Sequence, residues 1–215
     1  MNRDLAQMRR DYHLTPLLEE QAGQTPWPLF EIWMQEAIQS PHQDANAMLL
    51  SSVDTQGQPH ARIVLLKGYS TEGLVFYTNY QSAKGQEIAQ SPKVALTFWW
   101  EALERQIRIE GEARQLAPEA SDTYFQSRPR DSQLGAWASA QSQILQSREQ
   151  LSERFQQLQD QYPENAPIPR PAHWGGYCVH PHTFEFWQGQ PNRLHDRLRF
   201  ERHPASDWQL VRLSP

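Results

Sequence analysis

Apolar and polar positions fall into two periods along this chain. Residues 47–53, 74–78 and 94–100 are compact runs rich in aromatic and β-branched side chains, bounded by turn residues, and they predict β-strands. Another apolar run, Ile63, Val64, Leu65 and Leu66, lies between Arg62 and Lys67, and the turn residues of 68–73 predict that 62–67 and 74–78 form a hairpin. The segment DTQGQ at 54–58 turns the first strand into the one that reaches Arg62. Further on, Gln106, Arg108 and Glu110 alternate with Ile107 and Ile109, the period of a strand with one wet or ligand-facing side. Strands at 176–187, 193–202 and 208–213 close the chain, joined by turns at 188–192 and 203–207.

Helical period governs the remainder. Leu5, Met8 and Tyr12 share one face of a segment at 4–12, while Leu29, Ile32, Trp33 and Ala37 predict the buried stripe of a helix that enters through Pro28 and ends near Ser40. Ser82 is placed to cap a short helix starting near Ala83, with Lys84 in its first turn. Two short helices, 118–126 opened by Pro118 and 132–138 capped by Ser132, are separated by the polar segment SRPRDS at 127–132. Leu151, Phe155, Leu158 and Tyr162 predict a longer helix over 147–162, followed by a loop at 163–171. Meander, helical insertion and returning strands predict a mainly β protein with peripheral helices, an antiparallel barrel closed or nearly closed. The expected organisation is an N-terminal helix and segment over 1–25, then a single domain over 26–215 with its helical insertion around 117–162.

Composition narrows the function classes. With 215 residues, 38% of them hydrophobic, the chain is long enough for a real core, and its eight tryptophans sit in patterned segments rather than polar tracts. A net charge of −5 argues against a nucleic-acid partner, so a bound phosphate belongs in a local pocket. The single cysteine, Cys178, excludes an intramolecular disulfide framework and a Cys-based zinc cage, and reads as a small buried side chain. No apolar run reaches signal-peptide or membrane-spanning length; the expected location is the cytoplasm, with no membrane partner.

The candidate chemistry is anion binding. Arg62, Lys67 and Lys84 surround a helix start, where unpaired N–H groups and the positive dipole end suit a phosphate. On a strand, Arg193, His195 and Arg197 of RLHDR would share one face, either as a wall of donors or as a solvated basic face. In SRPRDS, Arg128 and Ser132, with Tyr124 one helical turn earlier, either clamp a phosphate or belong to a salt-bridged surface loop containing Asp131. Trp187 reads as a core aromatic or as a ring-stacking residue. The eight histidines make no H-E-x-x-H pair, so no metal site is expected, and neither G-x-S-x-G nor G-x-G-x-x-G occurs. An organic cofactor would have to supply reactivity.

Six ordered segments resemble the pyridoxine/pyridoxamine 5′-phosphate oxidase family: RIVLLK (62–67), FYTN (76–79), LERQ (103–106), SRPRDSQLGAW (127–137), FWQG (186–189) and RLHDR (193–197). The resemblance implies an FMN-binding split β-barrel and a homodimer with two FMN sites at the subunit interface, each built from both chains. It assigns Arg62, Ile63, Val64, Leu65, Leu66, Lys67, Tyr77 and Thr78 to the FMN cradle and Lys84 to the FMN phosphate. Gln106, Gln141, Ser142, Trp187 and Arg197 are the remaining implied cofactor contacts. Lys67, Tyr124, Arg128 and Ser132 resemble the clamp for the substrate phosphate, and Arg193 and His195, with Leu194 between them, resemble the catalytic pair over the substrate ring. Arg9, Arg10, Asp11 and Tyr12 resemble an N-terminal segment that closes on the site. The implied reaction oxidises pyridoxamine 5′-phosphate and pyridoxine 5′-phosphate to pyridoxal 5′-phosphate, with O2 reduced to H2O2. Two alternatives stay open: an FMN oxidase of the same fold acting on another substrate such as a phenazine precursor, and a non-catalytic flavin or pyridoxal-phosphate binding protein.

Overall fold

The computed structural model describes residue 12 and residues 15–41, 44–203 and 206–215. Apart from Tyr12, the helix expected over 4–12 lies outside the described residues, as do Arg9, Arg10 and Asp11. In chain order the elements are α1 (Glu19–Ala22), α2 (Pro26–Gln39), β1 (Ala47–Val53), β2 (Pro59–Leu65), β3 (Gly68–Ser70), β4 (Gly73–Asn79), α3 (Ala83–Gln90), β5 (Lys93–Trp100) and β6 (Arg105–Gln115). There follow α4 (Pro118–Ser127), α5 (Arg130–Ala138), α6 (Arg148–Gln161), β7 (Trp174–Gln188), β8 (Asp196–Glu201) and β9 (Gln209–Arg212). The expected mainly β class with peripheral helices holds. Strands hydrogen-bond in the order β2-β1-β5-β6-β7-β4-β3, with β8 on β7 and β9 on β8. The chain divides into two compact units: Met1–Leu49, Ala95–Gly111 and Pro181–Pro215 form one, Leu50–Val94 and Glu112–His180 the other.

In the second unit, β4 pairs antiparallel with β7, from Leu74 opposite Val179 to Asn79 opposite Trp174. Its other neighbour is β3, with Gly68 opposite Val75 and the Lys67 N–H donating to the Val75 carbonyl at 2.8 Å, so the expected hairpin between 62–67 and 74–78 pairs only from Lys67 onward. Residues 62–65 belong to β2, beside β1, and the chain reverses at Ser70 to Gly73, where the Ser70 hydroxyl accepts from the Glu72 N–H at 3.2 Å. Gly68, Ser70 and Gly73 read as one long turn, yet three residues between the reversals suffice for an edge strand. The cap on α3 forms as expected, since Ser82 Oγ accepts from the Gly85 N–H at 3.3 Å. A Cβ on Gly85 would meet the Tyr80 carbonyl oxygen at 2.2 Å, so only glycine lets α3 begin this close to the preceding turn.

SRPRDS is not a loop. Arg128 ends α4, Pro129 is the N-cap of α5, and Ser132 lies inside α5 with its N–H donating to the Pro129 carbonyl at 2.9 Å. Proline's fixed φ and missing N–H suit a helix start, which moves the cap three residues ahead of the expected Ser132. Phe125, Leu134, Ile168 and Trp174 form a buried cluster, against which Phe155, Leu158 and Tyr162 pack. The apolar spacing of α6 thus serves the purpose predicted for it.

In the first unit, α2 buries Pro26, Leu29, Phe30, Trp33, Met34 and Ala37, whereas Ile32 is 52% exposed. The stripe is rotated from the expected one, because Phe30 and Met34 complete the i, i+3, i+4, i+7 series and leave Ile32 outside it. Trp33 meets Phe186 edge-on at 5.3 Å between centroids. The strand predicted over 193–202 begins only at Asp196: Pro191–Arg193 is a short 3-10 turn, with Asn192 at φ 59° and Arg193 at φ 62°. Left-handed residues break the alternation, so Arg193 and His195 do not share a strand face with Arg197.

Candidate functional site

Within the second unit, a cavity of about 790 Å³ is lined by residues from six elements and their ends. Arg62, Ile63, Val64 and Leu65 come from β2, with Lys67 just beyond it; Tyr77 and Thr78 come from β4, and Lys84 from the first turn of α3. Tyr124 on α4, Arg128 at its end, Ser132 on α5 and Gln141 complete the set expected from sequence. Asn79 of FYTN and Ser127 and Pro129 of SRPRDS also line it, as does Trp174, which no sequence signal singled out. Leu66, expected in the same cradle, is buried and is not among the lining residues. Ser142 is exposed in a left-handed turn at φ 71° and does not line the cavity either, although its neighbour Gln141 accepts from Thr78 Oγ1 at 3.2 Å.

One wall is aromatic. Tyr77 and Tyr124 stack at 3.8 Å between centroids, and Trp174 lies parallel to Tyr77 at 5.5 Å. Tyr77 stands opposite Gly176 in the β4–β7 ladder, and a Cβ there would come within 2.8 Å of its ring. Burial raises both tyrosine hydroxyls above their ordinary range, keeping them neutral donors. The Arg128 guanidinium carbon sits 4.5 Å from the Trp174 ring centroid, and its buried Nη1 has no hydrogen-bond partner among the described residues.

The cationic wall is differently held. Lys84 is buried, and burial, then the charge of Arg62, lowers its ammonium below the ordinary lysine range. Arg62 Nη2 donates to Glu87 Oε2 at 2.9 Å, and Nη1 donates to Ser52 Oγ. Two cations beside the capped start of α3 are residue types that suit a dianion.

A second group of expected residues lies in the other unit. Trp187 packs with His195 at 4.6 Å between centroids and edge-on with Tyr12 at 5.8 Å. The Gln190 N–H donates to His195 Nδ1 at 3.1 Å, which leaves the proton of the neutral ring on Nε2. Burial, then Arg193, lowers the His195 pKa. Arg193 and Leu194 are exposed, and Gln106 is half-buried on β6. Arg197 is engaged by Glu185, whose Oε1 accepts from its Nε at 3.0 Å, and by the Ser214 carbonyl, which accepts from its Nη1 at 2.9 Å. Among the described residues no group of three or more His, Cys, Asp or Glu side chains is arranged to hold a metal ion.

Residues 34–162 match the family described as pyridoxamine 5′-phosphate oxidase, and residues 174–215 match the pyridoxine 5′-phosphate oxidase C-terminal dimerisation region. The chain is 49% identical over 215 residues to the pyridoxine/pyridoxamine 5′-phosphate oxidase of Gloeothece citriformis, covering all of both chains. It is 53% identical over 216 residues to the protein of the same name from Chromohalobacter salexigens, again covering all of both. Among solved structures it is similar to PhzG from Burkholderia lata 383 in complex with tetrahydrophenazine-1-carboxylic acid: TM-score 0.86 and 28% identity, covering 94% of this chain and 99% of that one.

Proposed function

Because the chain belongs to the pyridoxamine 5′-phosphate oxidase family, we propose that it oxidises pyridoxamine 5′-phosphate and pyridoxine 5′-phosphate to pyridoxal 5′-phosphate, using FMN and reducing O2 to H2O2. The observation that carries this reading is the pairing of two cation sets with an aromatic wall in one cavity. Arg62 and Lys84 at the start of α3 fit the phosphate of FMN; Lys67 and Arg128, with Ser132 and Tyr124, fit the phosphate of the substrate. The buried Arg128 Nη1, without a partner among the described residues, fits a site made for an anion, since such a donor is otherwise costly to bury. When bound, FMN would supply the two-electron redox chemistry of the reaction, with O2 as the final acceptor.

The chain's own residues then bind and orient. Ile63, Val64, Leu65, Tyr77, Thr78 and Gln141 flank the cofactor, and the substrate is anchored by its phosphate so that its reacting carbon is held in place. Arg193 and His195 cover the substrate ring; neutral His195 offers its Nε2–H as a donor. Gln106, Trp187 and Arg197 contribute to the cofactor site, and Tyr12 lies beside Trp187 and His195. The match of residues 174–215 to a dimerisation region supports a homodimer. In this reading each FMN site takes residues from both copies, and the enzyme works in the cytoplasm. A phenazine precursor is the second substrate considered. The similarity to PhzG is 28% identity, against 49% and 53% to the two oxidases, and the phosphate clamp favours the phosphorylated pyridine.

The test is phosphate dependence. We expect kcat/KM for pyridoxamine 5′-phosphate to exceed that for pyridoxamine by at least about thirtyfold, the loss of one charged hydrogen bond near 2 kcal/mol. Equal turnover of the two compounds overturns the reading.

A further inference from the structure

Behind the cationic wall sits a carboxylate that phosphate binding alone does not call for. Glu87, three residues after Lys84 on α3, is 7% exposed. Its Oε2 accepts from Arg62 Nη2 at 2.9 Å and from the hydroxyl of Ser52, itself buried on β1. Ser52 in turn accepts from Arg62 Nη1, so both terminal nitrogens of the guanidinium are gripped in a closed ring of three side chains. Burial alone would raise the acid's pKa, but the hydrogen bonds from Ser52 and Arg62 and the Arg62 charge outweigh it, and Glu87 is ionised at neutral pH.

By charge alone this group opposes a dianion: it cancels one of the two cations at the start of α3. A buried ion pair is also a poor source of stability, and its best-supported role is to fix geometry. An arginine side chain without such an anchor samples many rotamers and must be ordered when its ligand arrives. Two effects therefore compete at Glu87, charge against pre-ordering.

We propose that Glu87, together with Ser52, is a positioning residue that fixes the Arg62 guanidinium on the cavity wall, so that Arg62 meets the FMN phosphate already ordered. This inference rests on the reading of Arg62 and Lys84 as FMN-phosphate ligands. Pre-ordering outweighs the lost attraction.

The experiment titrates apoprotein with FMN and with riboflavin, following flavin fluorescence, for the wild type, Arg62→Ala, Glu87→Gln and the double variant. Glu87→Gln is expected to weaken FMN binding about tenfold, the ordering entropy of one long side chain, although it makes the site more positive. Riboflavin, which lacks the phosphate, is expected to bind Glu87→Gln as it binds the wild type, and the FMN effect is expected to vanish in the Arg62→Ala background. Tighter or unchanged FMN binding by Glu87→Gln, or an equal loss in both backgrounds, overturns the inference. Should Glu87→Gln not fold, Ser52→Ala carries the test: weaker FMN binding with riboflavin unchanged supports it, and unchanged FMN binding overturns it. Failure of the underlying reading looks different, because the wild type would then bind FMN no better than riboflavin, or Arg62→Ala would leave FMN binding intact. Either result removes the inference along with the reading.

Discussion

Arg128 lies over the ring of Trp174, its guanidinium carbon 4.5 Å from the centroid, with a buried Nη1 that has no partner among the described residues. Stacking fixes the plane of the fork while leaving donors for a phosphate, a combination lysine does not reproduce. Arg128→Ala is expected to raise KM for pyridoxamine 5′-phosphate about thirtyfold, a loss near 2 kcal/mol, with kcat close to wild type. Arg128→Lys should recover only part of it. Steady-state kinetics on FMN-saturated protein check both, and an unchanged KM removes Arg128 from the clamp.

His195 is held below its ordinary pKa of 6.5, first by burial and then by Arg193. As pH falls from 6.5 toward the lowered native value, the unfolded chain binds more protons than the folded one, so stability declines across that window. The melting temperature is expected to fall there, and His195→Asn is expected to flatten the fall. An identical pH profile in the variant contradicts the assignment.

For Arg193, which sits at φ 62° just before His195, the expectation concerns catalysis. Arg193→Ala should lower kcat/KM sharply while FMN affinity stays unchanged. Normal turnover would sink this role.

Lys84 is lowered from its ordinary 10.5 by burial and by Arg62. Its charge is lost as pH rises through the lowered value, so FMN affinity should begin to fall below pH 10.5. Lys84→Arg, which stays protonated, is expected to move the fall to higher pH. Flavin titrations across the alkaline range provide the check.

Gly85 carries the close approach of α3 to Tyr80, where a Cβ would lie 2.2 Å from a backbone oxygen. Gly85→Ala should cost about 1–3 kcal/mol, read as a drop of several degrees in Tm. Displacement of the helix start should also weaken FMN binding, and a variant with wild-type Tm and affinity would contradict the role given to this turn.

Local chemistry made much of this legible from the sequence. Ser82 as a cap, the alternation of Ile107 and Ile109, and the apolar spacing of α6 are determined by neighbours within a few residues, and each appears where expected. Non-local partners made the rest opaque. The edge of β4 away from β7 pairs with β3 and the Lys67 N–H, while 62–65 belong to β2, a choice of partners set by the fold rather than by neighbours in sequence. In RLHDR the alternation failed because Asn192 and Arg193 turn left-handed behind Pro191, a conformation the composition of the segment does not announce. The same holds in the site. Arg62 and Lys84 stood out as cations, yet the Glu87 that grips Arg62 lies 25 residues away, and Trp174 reaches Arg128 through the fold alone.

The most direct measurement is turnover of pyridoxamine 5′-phosphate in air by FMN-saturated protein, with pyridoxal 5′-phosphate and hydrogen peroxide quantified in the same sample. The account predicts both products in equal amounts. Bound flavin with neither product would contradict it.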